Sequence, residues 1–437
     1  MYPHLLDVVQ STPLIQKRGR VRRIVGQVVE ATGPKASVGQ TCNIISQSSG
    51  KNITAEVVGF KDDLILLVPY ADVNGISSDD IVTINSNSME ITVGDHLLGR
   101  VLNGLGQPID GKGPIAPYTK RPIHNEPPDP LSRTRITKPL LTGIRAIDMF
   151  LTCGRGQRVG IFAGSGVGKS VLLGMVARNT LADVNVIALI GERGREVRDF
   201  IEKDLGEAGL QRSVVVAVTS DQAPLIRIKG SLIATAIAEY FRDEGKNVML
   251  MMDSVTRVAM AQREIGLSVG ELPASKGYTP SVFGMLPKLL ERAGATGKGS
   301  ITGMYTVLVE GDDMNDPVAD TVRSILDGHI ILSRKLASLG HYPAIDILQS
   351  VSRVMIDVVD SEHRKLANRL IEVLATYEEA EDLINIGAYV KGSNPRIDRA
   401  IALIDDLKAL LQQDIEEQVD FDQSLQQMSA ILGTATA

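Results

Sequence analysis

The segment Ile161-Phe-Ala-Gly-Ser-Gly-Val-Gly-Lys-Ser170 decides the fold of this 437-residue chain. An apolar run, Val159–Ala163, leads into it, and a helix-compatible run, Val171–Asn179, follows it. The glycines allow a tight curve in which backbone N–H groups converge on phosphate oxygens. The following helix directs its positive end at the same anion. This strand–loop–helix order predicts a phosphate-binding loop rather than an accidental glycine-rich turn.

Each residue type in this loop suits the binding of a nucleoside triphosphate. Ala163 stands where the strict form of the motif has glycine, so the match is to the relaxed form. We expect Lys169 to neutralise the β- and γ-phosphates and Ser170 to ligate Mg²⁺. The predicted nucleotide-binding residues are Ala163, Gly164, Ser165, Gly166, Val167, Gly168, Lys169 and Ser170.

Apolar runs alternate with helix-length segments from Arg158 onward, which is the pattern of an α/β fold with a mostly parallel sheet covered on both faces. The runs are Val159–Ala163, Val186–Ile190, Val214–Val218, Val248–Met252 and Tyr305–Val309. Ligands of such sheets lie beyond the carboxyl ends of the strands. The sequence therefore predicts a site at that edge, around the glycine-rich loop.

Two carboxylates follow such runs. Asp253 is placed to hold Mg²⁺ through water, although many buried strands end in Asp. Glu192 is placed to orient and partly deprotonate an attacking water. A solvated charge cluster that opens a helix explains the spacing around Glu192 equally well.

The chain divides into a β-barrel domain over 21–93, a P-loop core over 94–355 and a C-terminal helical domain over 356–437. Short strands with turn signals predict the barrel, and a Pro/Gly-rich connector within 103–139 fits neither a helix nor an inner strand. In the last domain, apolar residues recur at helical spacing. The two predicted stripes are Leu366, Leu370, Val373 and Tyr377, and Ile397, Ile401, Ile404 and Leu411.

Composition argues against several other classes of protein. A formal charge of −6, only 4% aromatic residues and no Trp speak against a dedicated nucleic-acid binder. Cys42 and Cys153 have no spaced Cys or His partners of the kind that a zinc site needs. The N-terminus lacks the features of a signal peptide, and no apolar stretch is long enough to cross a bilayer. We therefore expect a cytoplasmic protein.

With these motifs in view, the chain resembles the ATP synthase α/β-subunit superfamily, and within it the flagellar and type III secretion export ATPases. The likeness runs from Val21 to about Ala400. Its motifs are Ala163–Ser170, Gly191-Glu-Arg-Gly-Arg-Glu-Val197, Asp253-Ser-Val-Thr-Arg257, Ser281-Val-Phe-Gly-Met-Leu-Pro287, Val309-Glu-Gly-Asp-Asp-Met314 and Ser350-Val-Ser-Arg353. Ile386–Asn394 replaces the acidic motif of synthase β-subunits, and the insertion of vacuolar-type catalytic subunits is missing. Both departures favour an export ATPase over a rotary ATPase catalytic subunit.

The resemblance implies roles for individual residues. Glu192 would be the catalytic carboxylate, acting with Lys169, and Arg353 would be an arginine finger inserted into the neighbouring subunit's site. Tyr342 would stack on adenine, although packing at a tight turn is the usual explanation for such an aromatic. Three further residues are implied near the γ-phosphate: Arg193 in contact with it, Glu196 as support, and Arg257 as the arginine that follows Asp253.

The resemblance also implies a function: hydrolysis of ATP, with Mg²⁺, coupled to the export of flagellar proteins. The ATPase would release chaperones from substrates and help to unfold them. The implied partners are other copies in a homohexamer, a central stalk protein, a stator-like regulatory subunit bound by residues 1–20, chaperone–substrate complexes and a membrane export gate. A frayed tail explains the N-terminal segment almost as well. The protein would lie on the inner face of the cytoplasmic membrane.

Other functions stay open at this stage. An injectisome-type secretion ATPase fits the same motifs. A non-catalytic subunit of a mixed ring should lack Glu192, yet this chain carries both Glu192 and Arg353. An RNA-translocating ATPase wants a basic, aromatic-bearing N-terminal domain; here Arg18, Arg20, Arg22 and Arg23 cluster with little aromatic interleaving.

Overall fold

The computed structural model describes residues 17–434, except 48–49, 87–88, 117, 310 and 312. The predicted partner-binding segment, residues 1–20, lies almost wholly outside the described residues. The chain divides into two compact units, and the segments 221–228 and 260–282 group with the N-terminal unit.

The N-terminal unit contains a closed barrel, formed in the described residues by six antiparallel strands in the order β1-β2-β5-β4-β3-β6. These strands are β1 Arg18–Val25, β2 Val28–Ala31, β3 Thr41–Ile45, β4 Asn52–Lys61, β5 Leu64–Pro69 and β6 Ile81–Ser86. Alternate residues fill the interior, among them Val29, Ile44 and Leu67, which are fully buried.

The barrel ends earlier than the predicted boundary at residue 93. The next strand, β7 (Glu90–Val93), pairs with β9 (Thr119–Pro122) in a separate two-stranded sheet. Because β1 and β6 already close the barrel, no free edge is left for another strand. Part of the Pro/Gly-rich connector therefore supplies the partner of β7.

The second unit is built on a mostly parallel sheet, which in the described residues has nine strands in the order β17-β16-β10-β15-β13-β11-β12-β8, with β14 paired to β15. Its strands are β8 Arg100–Leu102, β10 Arg158–Ala163, β11 Val184–Glu192, β12 Ser213–Thr219, β13 Asn247–Asp253, β14 Gly294–Ala295, β15 Ser300–Leu308, β16 Gly328–Leu332 and β17 Ile345–Ser352. All five predicted apolar runs are strands of this sheet. The α/β prediction is confirmed.

The last strand, β17, runs antiparallel to β16 and was not predicted. Ile345 pairs with Leu332, and Ser352 pairs with Gly328. Because β16 is parallel to β10, β17 begins at the carboxyl edge of the sheet and ends at its amino edge.

Helices connect and cover the strands. In the described residues they are α1 Arg145–Phe150, α2 Lys169–Asn179, α3 Gly194–Asp199, α4 Gly206–Gln211, α5 Pro224–Asp243, α6 Val255–Ser268, α7 Pro280–Leu290, α8 Pro317–Ile325, α9 Arg334–Ser338, α10 Met355–Val358, α11 Ser361–Asn385, α12 Pro395–Leu411 and α13 Phe421–Thr434. None of these described helices is both long and apolar enough to cross a membrane.

The C-terminal helical domain is confirmed, but one of its predicted stripes is partly wrong. On α11, Leu370 and Val373 are buried as expected. On α12, Ile401 is 37% exposed, whereas Ala400, Leu403 and Leu407 are buried. The buried face follows the i, i+3, i+7 spacing from Ala400. A count of large apolar residues missed this register, because the side chain of Ala400 is small.

Candidate active site

The phosphate-binding loop joins the end of β10 to the start of α2. Gly166 and Gly168 have φ values of 79° and 91°, a left-handed conformation that glycine adopts without a steric cost. Among the described residues, the backbone N–H groups of residues 165–168 have no hydrogen-bond acceptor. Free N–H groups on such a curve, at the start of a helix, form a cradle for an anion.

Lys169, the first residue of α2, reaches across to the ends of two neighbouring strands. Its Nζ donates to Oδ1 of Asp253, the last residue of β13, and to Oε1 of Glu192, the last residue of β11, at 3.4 Å. The side chains of Lys169, Asp253 and Glu192 are 11%, 3% and 15% exposed. Three residues far apart in sequence thus meet at the carboxyl edge of the sheet.

A fourth side chain fixes the orientation of Asp253. Thr306 on β15 is fully buried and donates its hydroxyl to Asp253 Oδ1 at 2.7 Å. No described residue donates a hydrogen bond to Oδ2 of Asp253. Sequence reasoning missed Thr306, although a polar residue within the apolar run Tyr305–Val309 was a signal that could have found it.

The mutual charges shift the pKa values of this cluster. Burial raises the pKa of Glu192 to about 7, and the negative charge of Asp253 adds to the rise while Lys169 opposes it. Burial alone lowers the pKa of Lys169, but Asp253 and Glu192 outweigh it and leave that pKa raised. Lys169 is therefore cationic at neutral pH, and Glu192 can exchange a proton there.

The other residues implied near the γ-phosphate lie around Glu192. The side chain of Arg193 is 83% exposed, and its Nη1 lies 3.5 Å from Oε1 of Glu196. Arg257 packs against Gly191, where an added Cβ would lie 2.8 Å from the Cβ of Arg257. The Nε of Arg257 is buried and has no hydrogen-bond partner among the described residues. The turn that carries Glu192 therefore packs against the aliphatic part of Arg257, whose Nε can still donate a hydrogen bond.

Tyr342 lies beside the phosphate-binding loop. Its Cε1 is 3.4 Å from where a Cβ on Gly168 would stand, and the residue is 46% exposed. The loop is also held by Arg334, which donates to the carbonyl of Ser165 at 3.3 Å and was not foreseen. Tyr342 offers an aromatic face near the loop, as base stacking requires.

Arg353 is placed differently from every other candidate. It follows Ser352 at the end of β17, level with the beginning of β10. At about 3.3 Å per residue, the length of β10 and the loop puts Arg353 on the order of 20 Å from Lys169 of its own chain. Its exposed side chain cannot reach its own phosphate-binding loop.

Comparison with known proteins identifies this architecture. The ATP synthase alpha/beta family nucleotide-binding domain matches residues 143–352, the beta-barrel domain of that family matches residues 21–84, and the T3SS EscN ATPase C-terminal domain matches residues 359–430. The chain is 53% identical over 432 residues to the flagellum-specific ATP synthase of Bacillus subtilis (strain 168), covering 98% of each chain. The chain belongs to the flagellar and type III secretion export ATPases.

Solved structures agree with this assignment. The export ATPase resembles the assembled ATPase EscN of the enteropathogenic E. coli type III secretion system, with a TM-score of 0.90 and 47% identity over 95% of this chain and 100% of that chain. It also resembles EscN in complex with its central stalk EscO, with a TM-score of 0.87, 46% identity and the same coverage. The predicted family, fold and ATPase activity are confirmed. The chain is an ATPase of protein export whose core binds a nucleotide.

Proposed function

We propose that this export ATPase hydrolyses Mg²⁺-ATP at the carboxyl edge of its sheet and that a neighbouring copy completes each site. The observation that carries the proposal is the convergence of Lys169, Glu192 and Asp253 from α2, β11 and β13. A cation for phosphate, a carboxylate near a metal and a carboxylate for water are the groups that phosphoryl transfer requires.

The phosphate chain would lie on the free N–H groups of residues 165–168, with Lys169 turning from its carboxylate partners to the β- and γ-phosphates. Tyr342 would stack on the adenine. Arg193 would contact the γ-phosphate with support from Glu196, and Arg257 would direct its spare donor toward the same region.

Magnesium suits the donors at this edge. In the described residues no group of three or more His, Cys, Asp or Glu side chains could hold a metal ion by itself. An ion shared between a hydroxyl, a carboxylate-bound water and phosphate oxygens is the usual form of a Mg²⁺ site. Ser170 is exposed at the start of α2, and Oδ2 of Asp253 accepts no hydrogen bond from the part of the chain that the structure describes. These two residues would hold Mg²⁺, which would supply charge neutralisation for the phosphate groups.

Glu192 would act on the attacking water. Its pKa of about 7 lets it accept a proton at physiological pH. We propose the following test: Glu192→Gln keeps the shape of the side chain but removes its basicity, so ATP should still bind while turnover falls by about two to four orders of magnitude. The matched control is Glu207→Gln at the exposed start of α4, which should keep close to the parent rate. Parent-rate hydrolysis by Glu192→Gln would refute the role.

The active form is proposed to be a homohexameric ring. Arg353 lies at the edge of the sheet opposite to its own loop, so an arginine that acts on transferring phosphate must come from another copy. Head-to-tail contacts either close into rings or run on as filaments, and the similarity to the assembled ATPase EscN supports a ring. A central stalk protein is a proposed partner, because the EscN relative is solved in complex with its stalk EscO.

The cellular role is proposed to be flagellar protein export, since the Bacillus relative named for the flagellum is 53% identical and the injectisome ATPase EscN is 47% identical. In this role the ring works in the cytoplasm at the inner face of the membrane, releases chaperones and helps to unfold substrates at the export gate. A stator-like regulator bound through residues 1–20 would control it. Export is tested by secretion of hook protein from cells in which Glu192→Gln replaces the parent: assembly should persist and secretion should stop. Co-purification with injectisome proteins alone would contradict the flagellar assignment.

A further inference from the structure

The position of Arg353 is held through its backbone. Its exposed side chain makes no ion pair or hydrogen bond with any described residue of its own chain. Its backbone N–H donates to the carbonyl of Asp327 at 3.1 Å. Whatever fixes Asp327 and the end of β17 therefore fixes the point from which the guanidinium extends.

One buried amide holds both of these points. Gln157 is fully buried, and its Nε2 donates to Ser352 Oγ at 3.2 Å and lies 3.4 Å from the carbonyl oxygen of Asp327. Ser352 Oγ in turn donates to the carbonyl of Thr152 at 3.0 Å. We call the contacts of Gln157 with Ser352 and Asp327 the finger anchor.

The backbone around the finger anchor is tightly packed. Gly328 pairs with Ser352, and an added Cβ at Gly328 would lie 2.6 Å from the carbonyl oxygen of Val351 and 3.2 Å from Nε2 of Gln157. A Cβ that close to backbone must displace the end of β17. Glycine at this position allows β17 to approach Gln157.

A bidentate ion pair with Arg158 holds Asp327 in place. The carboxylate of Asp327 accepts from the backbone N–H, Nε and Nη2 of Arg158, at 3.0, 3.1 and 3.0 Å. Asp327 returns a backbone N–H to the carbonyl of Arg158 at 2.9 Å. Bidentate pairs of this type fix geometry as well as charge.

Gln157 and Arg158, which hold Ser352 and Asp327, both lie at the start of β10. Arg158 is the first residue of β10, Gln157 precedes it, and β10 ends at the phosphate-binding loop. We infer that Gln157 and Ser352 are positioning residues, which orient Arg353 as the finger offered to the neighbouring subunit. Gln157 does so from the start of β10, the strand that ends at this subunit's own phosphate-binding loop. The inference rests on the proposed action of Arg353 in trans.

The first test separates positioning from folding. Ser352→Ala removes both hydroxyl contacts, leaves the chain's own loop intact and should lower kcat about tenfold or more, the scale expected when a catalytic group is slightly misplaced. The KM for ATP should not change, and Ser352→Thr should restore kcat. The matched control is Ser350→Ala on the same strand. That hydroxyl also has two partners, the N–H of Ile331 at 2.9 Å and the carbonyl of Asp346 at 2.5 Å, but it makes no hydrogen bond with Gln157. An equal fall in kcat for both alanine variants would overturn the inference.

The second test follows the defect to one side of the interface. In rings mixed from Lys169→Ala and Arg353→Ala chains, only the Lys169→Ala chains offer a finger. Adding Ser352→Ala to the Lys169→Ala chain should lower the restored activity by the same factor as in the single variant. Adding it to the Arg353→Ala chain should change nothing, because that chain has no finger to aim.

The outcomes are distinguishable. Restored activity that falls equally with Ser352→Ala on either chain, or on neither, would overturn the finger anchor and leave the trans role standing. Confirmed mixed rings without restored activity, together with full activity of Arg353→Ala alone, would overturn the trans role and the anchor with it.

Discussion

Mixing two inactive variants should restore ATPase activity if each site lies between two copies. Lys169→Ala removes the fixed cation for phosphate and should abolish ATP binding in its own loop. Arg353→Ala should bind ATP normally and hydrolyse it about three to five orders of magnitude more slowly, the scale of a lost arginine finger. Since the two residues lie on the order of 20 Å apart in one chain, at opposite edges of the sheet, their defects should fall in different sites of a ring.

The size of the rescue follows from counting interfaces. In an equal random mixture, an Arg353→Ala chain meets the finger of a Lys169→Ala chain at roughly a quarter of the interfaces. Each such interface has an intact loop and an intact finger. Steady-state phosphate release should therefore approach about one quarter of the parent rate if sites work independently, and less if neighbouring sites must fire in turn.

The assay requires proof that rings have mixed. Native mass spectrometry of chains with different mass tags should show a binomial distribution of compositions before rates are compared. Lys169→Ala mixed with Lys169→Ala/Arg353→Ala is the matched control and should stay inactive, because no intact loop is present. Full activity of Arg353→Ala alone, at concentrations where rings form, would refute the reasoning.

Three further predictions concern titration, metal and stability. The logarithm of kcat/KM should fall with decreasing pH below about 7, because protonation of Glu192 removes the base; a parent profile that stays flat between pH 5.5 and 8 would contradict this. Asp253→Asn should raise the Mg²⁺ concentration needed for half-maximal activity, and an unchanged Mg²⁺ titration would count against its role. Arg292→Met should lower the free energy of unfolding by about 3–5 kcal/mol, because the fully buried Arg292 forks onto Glu239 at 2.7 and 2.9 Å. Thermal melting should show a smaller loss for Arg292→Met/Glu239→Leu, in which no charge of the pair stays buried alone, and equal losses would contradict this explanation.

The parts of the site that local sequence could predict are those fixed by the ends of strands. The glycines before Lys169 dictate a left-handed turn, and the apolar runs before Glu192 and Asp253 set their places on one edge. Periodicity and chain order were enough for these because consecutive parallel strands must point the same way. The same reasoning located the barrel and the C-terminal helices.

Contacts between distant segments could not be predicted in this way. Thr306 meets Asp253 across two paired strands, and Gln157 meets Ser352 although 195 residues separate them. Nothing in the sequence near Ile345–Ser352 distinguishes an antiparallel strand from a parallel one, so the edge at which Arg353 stands became visible only in the sheet. The buried face of α12 escaped for a related reason, since Ala400 is an unremarkable residue until its neighbours are known.

The separation of the loop and the finger on one chain has a genetic consequence. A chain that lacks Arg353 keeps its own loop but leaves the neighbouring site without a finger, so it damages a site whose loop belongs to another chain. If sites work independently, a cell that makes parent and Arg353→Ala chains in equal amounts should keep about half of the parent activity. If the sites of a ring must fire in turn, only about one six-membered ring in sixty-four is free of the variant, and the allele should be dominant over the parent gene.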